Sequence, residues 1–112
     1  MNIPEAKTAQ RREPMNFEEM KRHAGDAVQL LKALANENRL MILCTLSEAE
    51  HSVGELNDRI SLSQSALSQH LAVLRRDGLV TTRRESQTIY YALADGPAAR
   101  VIELLHDMYC GV

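Results

Sequence analysis

Apolar residues recur at helical spacing early in the chain, at Met20, Ala24, Ala27, Val28, Leu31 and Leu34. Asn16 is placed to cap this segment, and Glu18 and Glu19 fall in its first turn, where the helix dipole favours acids. The pattern predicts a first helix from about residue 17 to Leu34. A second follows Asn36 with Leu40, Ile42, Leu43 and Leu46 in its stripe, and fades in the polar run from Ser47 to His51. Ser52-Val53-Gly54-Glu55 is a serine with a glutamate three residues on, a capping box that opens a short third helix through about Arg59. After a turn at Ile60 to Leu62, Ser63 caps a fourth helix with Leu67, Leu71 and Leu74 inward, and Gly78 is its left-handed stop.

The hydrophobic period then changes from helical to two. Leu79 to Arg84 and Thr88 to Leu93 are rich in Val, Thr, Ile and Tyr, and the polar Glu85-Ser86-Gln87 separates them, which predicts a β-hairpin. Asp95-Gly96-Pro97 breaks the chain, and Pro97 suits the first turn of a final helix with Val101, Leu104, Leu105 and Met108 in its stripe and Gly111 at its end. The predicted fold is mainly α with a small β-hairpin. Short helix, tight turn, second helix and hairpin is the order of a winged helix-turn-helix.

Residues 1–14 are polar, hold two prolines and show no periodicity, which predicts a mobile tail before a single domain spanning 15–112. With 45% apolar and 25% charged residues, the composition is that of a globular domain. A chain this short buries a modest core, and a dimer sharing core surface would enlarge it. No apolar run approaches the roughly 18 residues of a membrane helix, and the N-terminus lacks the basic and apolar regions of a secretory signal. The expectation is a cytoplasmic protein whose two cysteines are reduced by default.

The net charge of −2 alone would not suggest a nucleic-acid partner, but the charge is unevenly placed. Between Ser63 and Tyr91, Arg75, Arg76, Arg83 and Arg84 outnumber Asp77 and Glu85, whereas the stretch from Glu37 to Ser61 is acidic. In a helix-turn-helix the second helix enters the major groove with its N-terminal residues against base edges. Here that segment offers Ser63, Gln64, Ser65, Ser68, Gln69 and His70, with Arg76 two turns on. Short hydroxyls and amides reach base edges, and glutamine can bond adenine at two points. Arg76, Arg83 and Arg84 suit phosphate, and Gln87 lies at the hairpin tip beside an adjacent groove. A polar helix face by itself is more often a solvated surface. The ordered series of capping box, turn, polar-faced helix and basic hairpin favours double-stranded DNA as partner. The chain has no Gly-rich phosphate loop, nucleophile elbow or metalloprotease box, so an enzyme is not expected.

Several segments carry a resemblance. Leu34-Ala35-Asn36-Glu37-Asn38-Arg39-Leu40, Ser52-Val53-Gly54-Glu55-Leu56, the run from Leu62 to Leu71 and Leu74-Arg75-Arg76-Asp77-Gly78-Leu79-Val80 resemble the ArsR-type repressors. The likeness runs from about Phe17 to the end. It implies a homodimer with its first and last helices at the interface, and a sensor whose state changes affinity for operator DNA. The family's thiolate metal site needs paired cysteines in the first helix of the helix-turn-helix, and Val53 to Asn57 has none. Its C-terminal-helix metal site uses Asp and several His. Glu103, His106 and Cys110 share a face here, a thin set that leaves a zinc-responsive repressor as the alternative reading. No cofactor is expected.

Cys44 sits at the edge of the second helix's stripe and Cys110 in the last turn of the final helix. Taken singly they read as a small core residue and an incidental surface thiol. One cysteine on each of these helices resembles the family's dithiol subgroup. That resemblance implies that Cys44 and Cys110 sense reactive sulfur species or oxidants by linking to each other, and so control operator affinity.

Overall fold

The computed structural model describes residues 14–111, so the expected tail at 1–14 lies outside the described residues except for Pro14. The order is α1 (Phe17–Leu34), α2 (Glu37–Glu48), β1 (His51–Ser52), α3 (Val53–Arg59), α4 (Gln64–Arg76), β2 (Val80–Glu85), β3 (Thr88–Leu93) and α5 (Pro97–Tyr109). This is a winged helix-turn-helix.

Each helix of the first four starts where its sequence supplies a cap. Asn16, Asn36, Ser52 and Ser63 each accept a hydrogen bond from the backbone N–H three residues on. At Ser52 the box is complete: Glu55 N–H donates to the serine Oγ, and the Glu55 carboxylate accepts from Ser52 N–H. The α3–α4 turn is fixed by Asn57, which donates to the Leu62 carbonyl at 2.8 Å. Gly78 turns the chain from α4 into the wing at φ 74, a conformation that a Cβ disfavours.

The core is built from one face each of α2, α3, α4 and α5. Ile42, Leu43, Leu56, Leu67, Leu71 and Ile102 are at most 1% exposed. Each such side chain contributes on the order of 2 kcal/mol by leaving water. These residues hold α4 against the rest of the domain while its opposite face stays free.

Two expected stripes behave differently. Of the α1 stripe only Leu34 is buried, while Met20, Val28 and Leu31 are 46%, 48% and 58% exposed. On α5 the side turned to the core is Ala98 and Ile102; Leu104 and Met108 face out at 56% and 60%. Apolar periodicity identifies a helix but not whether its own domain covers the apolar face.

The sheet has three antiparallel strands in the order β1-β3-β2, one more than the hairpin predicted from sequence. The wing hairpin pairs Val80 with Leu93 through Glu85 with Thr88, so its loop is Ser86-Gln87 and Glu85 belongs to the strand. A two-residue hairpin loop needs a positive φ, and Ser86 supplies it at 59°. The added strand pairs His51 with Tyr91 and Ser52 with Tyr90.

Candidate DNA-reading face and dithiol groove

The free face of α4 starts at Ser63, whose hydroxyl is engaged as the helix cap, accepting from Ala66 N–H at 3.1 Å. Gln64, Ser65, Ser68 and Gln69 follow on it, all exposed. His70 is half-buried, and its Nδ1 lies 3.5 Å from an Arg39 guanidinium nitrogen, so its ring is turned to α2. Arg39 itself donates to the carbonyls of Lys32 and Ala33 and so closes the C-terminus of α1. Its role was not visible in the charge pattern, because the partners are backbone atoms.

The basic residues divide into held and free. Arg76 pairs with Asp77 at 3.1 Å. That hydrogen bond keeps the Asp77 carboxyl below its ordinary range, and Gln29 of α1 adds a second donor. Arg83 is gripped by Glu50 and Glu85 and lies over the Tyr90 ring at 4.6 Å. Arg75 and Arg84 are exposed and make no ion pair with any described residue. Arg75 belongs to the basic cluster but not to the sequence-predicted contact set. It lines an open groove of about 480 Å³ with Ser68, Ala72, Arg76 and Tyr91, between α4 and the wing. Gln87 is exposed at the wing tip.

The two cysteines, 66 positions apart in sequence, come together. Both line one groove of about 390 Å³ between α2 and α5, with Leu40, Met41, Leu105 and Tyr109 among its walls. Both are free thiols, Cys44 half-buried and Cys110 exposed at the C-cap of α5. The chain turns sharply there: Cys110 N–H and Gly111 N–H both donate to the His106 carbonyl, at 2.7 and 2.8 Å. A Cβ at position 111 would meet the Asp107 carbonyl oxygen at 2.7 Å, so glycine permits the turn that holds Cys110 over the groove.

Burial pushes the Cys44 thiol above its ordinary pKa, and the neighbouring Cys110 and Glu48 push it the same way. Less of Cys44 is therefore thiolate at a given pH, and its access is poorer. Iodoacetamide near neutral pH should modify Cys110 well before Cys44; peptide mass spectrometry over time reads the order. Equal rates would mean that the groove does not shield Cys44.

His106 lines the same groove as the cysteines, while Glu103 lies in an adjoining one with Glu48 and His106. Among the described residues, no three His, Cys, Asp or Glu side chains gather as a metal site would require. No described helix is long and apolar enough to cross a membrane.

Residues 36–82, from the α2 cap into the wing, match the bacterial regulatory protein arsR family. The transcriptional activator HlyU of Vibrio cholerae is 61% identical over 97 residues, spanning 87% of this chain and 90% of that protein. The chain belongs to the arsR family. The biofilm growth-associated repressor of Agrobacterium fabrum is 48% identical over 91 residues, covering 81% of this chain and 78% of that one. The solved structure of reduced HlyU from Vibrio cholerae superposes with a TM-score of 0.79 at 60% identity, over 83% of this chain and 98% of that chain. Membership makes the protein a DNA-binding transcriptional regulator and not an enzyme.

Proposed function

We propose that the protein is a cytoplasmic homodimer that binds operator DNA, as a repressor or anti-silencer, and that Cys44 and Cys110 switch that binding in response to reactive sulfur species or oxidants. The observation carrying the sensor reading is the shared groove: two thiols distant in sequence face one opening between α2 and α5. One solved relative is described as its reduced form, which supports a redox difference in this group.

The chemistry balances with two protein thiols. The Cys110 thiolate takes the outer sulfur of a low-molecular-weight persulfide and releases the parent thiol. The Cys44 thiolate then attacks the inner sulfur of the Cys110 persulfide, forming the Cys44–Cys110 disulfide and expelling hydrosulfide. The two cysteines are oxidised and the donor persulfide is reduced to thiol and hydrogen sulfide. With a peroxide, Cys110 becomes a sulfenic acid and Cys44 displaces water. The greater exposure of Cys110 supports first attack there, with Cys44 as the resolving thiol. The link joins α2, whose Arg39 contacts His70 of α4, to the C-terminal helix. Regulation follows when the linked geometry disfavours the DNA-bound arrangement.

In the same reading α4 enters the major groove. Gln64, Ser65, Ser68 and Gln69 meet bases, and Arg75 and Arg84 hold phosphates on either side. Gln69→Ala should cost on the order of 1–3 kcal/mol and relax sequence preference. Arg84→Ala should weaken all sequences alike and flatten the salt dependence by about 0.9 in log–log slope. Titration of the promoter DNA upstream of the protein's own gene, with reduced, peroxide-treated and persulfide-treated protein, tests both parts. Operator affinity unchanged in both variants would remove the assigned face, and affinity unchanged by both treatments would remove the switch.

A further inference from the structure

The three-stranded sheet brings an acid to the wing that nothing in the DNA-reading role requires. On β3, Tyr90 faces Arg83 of β2 on one side and Ser52 of β1 on the other. Residues paired across strands share a face, so the Arg83 guanidinium lies over the Tyr90 ring at 4.6 Å, pointing toward the β1 edge. Glu50 waits there, two residues before Ser52 and 33 before Arg83 in sequence. Arg83 Nε donates to both carboxylate oxygens of Glu50, at 2.8 and 3.0 Å, and Nη2 donates to the same carboxylate. Nη1 donates to Glu85 at 3.3 Å. All three guanidinium nitrogens are occupied and one face is covered by the ring.

Such a fork of parallel N–H bonds is how arginine holds a DNA phosphate. The Glu50 carboxylate occupies that place, and Glu50, Arg83 and Glu85 together carry one net negative charge. We propose that Glu50 is an intramolecular competitor of the DNA backbone for Arg83, withholding one phosphate contact from the wing and restraining binding to DNA of any sequence. The proposal rests on the wing lying against DNA as described above. Non-specific affinity comes from neutralised phosphates, so withholding one lowers it without touching base readout. The wing then meets the backbone through Arg84.

Glu50 is exposed and outside the core, so Glu50→Gln keeps the fold while weakening its hold on Arg83. The test is the salt dependence of binding to a mixed-sequence duplex of about 24 base pairs, for wild type, Glu50→Gln, Arg83→Ala, the double variant and Arg84→Ala, all in the full chain. Glu50→Gln should bind more tightly, with a log–log slope steeper by about 0.9, its advantage shrinking about three-and-a-half-fold between about 50 and about 200 mM salt. Arg83→Ala alone should leave the slope as in wild type, and in the Glu50→Gln background it should abolish the steepening. An unchanged or flatter slope for Glu50→Gln overturns the proposal. So does steepening that survives Arg83→Ala, which would reflect only the lost negative charge. A slope that Arg84→Ala leaves unaltered removes the wing from the DNA surface, and the proposal with it.

Discussion

Leu104→Asp should convert the protein to a folded monomer that no longer retains operator DNA. Leu104 is 56% exposed on α5, beside Met108 at 60% and Tyr109 at 78%. Phe17, Val28 and Leu31 on α1 are likewise 67%, 48% and 58% exposed. Both helices thus leave large apolar side chains in water: α5 turns only Ala98 and Ile102 fully inward, and α1 buries only Ala33 and Leu34 in its last turn. Large apolar side chains left in water on two helices mark an interface, and a twofold partner presenting the same helices would cover them. A carboxylate at position 104 enters such an interface twice, once from each protomer, without a partner for its charge. Losing the second reading head removes the gain from simultaneous engagement of two half-sites, a factor of about 10²–10⁴ in affinity. Sedimentation velocity at micromolar concentration and circular dichroism together check the result. A variant that stays dimeric and bound would move the interface away from α5.

Local rules carried most of the helical fold. Asn16, Asn36, Ser52 and Ser63 fix where helices begin, because each needs only a side-chain oxygen within three residues of an unsatisfied N–H. The hairpin was legible from its change of period, with its boundary displaced by one residue at Glu85 because a polar residue at a strand end looks like a turn. β1 was not legible. Two residues have no period, and His51 and Ser52 are a strand only because Tyr90 and Tyr91 lie beside them.

The candidate site was legible to the extent that it depends on helix faces. Exposure of Gln64, Ser65, Ser68 and Gln69 follows from the inward spacing of Leu67, Leu71 and Leu74. Which arginines are free does not follow from composition. Arg76 and Arg83 look alike in the sequence to Arg75 and Arg84, yet the first two are held by Asp77 and by Glu50 with Glu85. One partner is adjacent and another is 33 residues away, so the second could be found only from the sheet register. His70 is similar: its position on α4 suggests base contact, and its pairing with Arg39 depends on how α2 packs.

Cys44→Ser and Cys110→Ser should each bind operator as wild type does when reduced, and each should lose release by persulfide entirely. The two failures should differ chemically. Cys110 is exposed, so Cys44→Ser should still take up a sulfur atom, visible as a persulfide adduct on Cys110, with no release of DNA. Cys44 is half-buried and burial raises its thiol pKa, so Cys110→Ser should take up sulfur far more slowly and stay close to its unmodified mass. In wild type the product should be an intramolecular link between the two residues. Closing a loop of this length restrains the unfolded chain by about 4 kcal/mol in the entropy model, so the linked form should also melt at a higher temperature. That gain acts on the free and the DNA-bound protein alike and does not itself release DNA. Release requires the link to favour a dimer geometry that fits the operator less well. Intact mass, non-reducing peptide maps and operator titration on the same samples separate these steps. If either single variant still lets go of the operator on persulfide treatment, or if wild type forms only links between subunits, the paired switch is wrong.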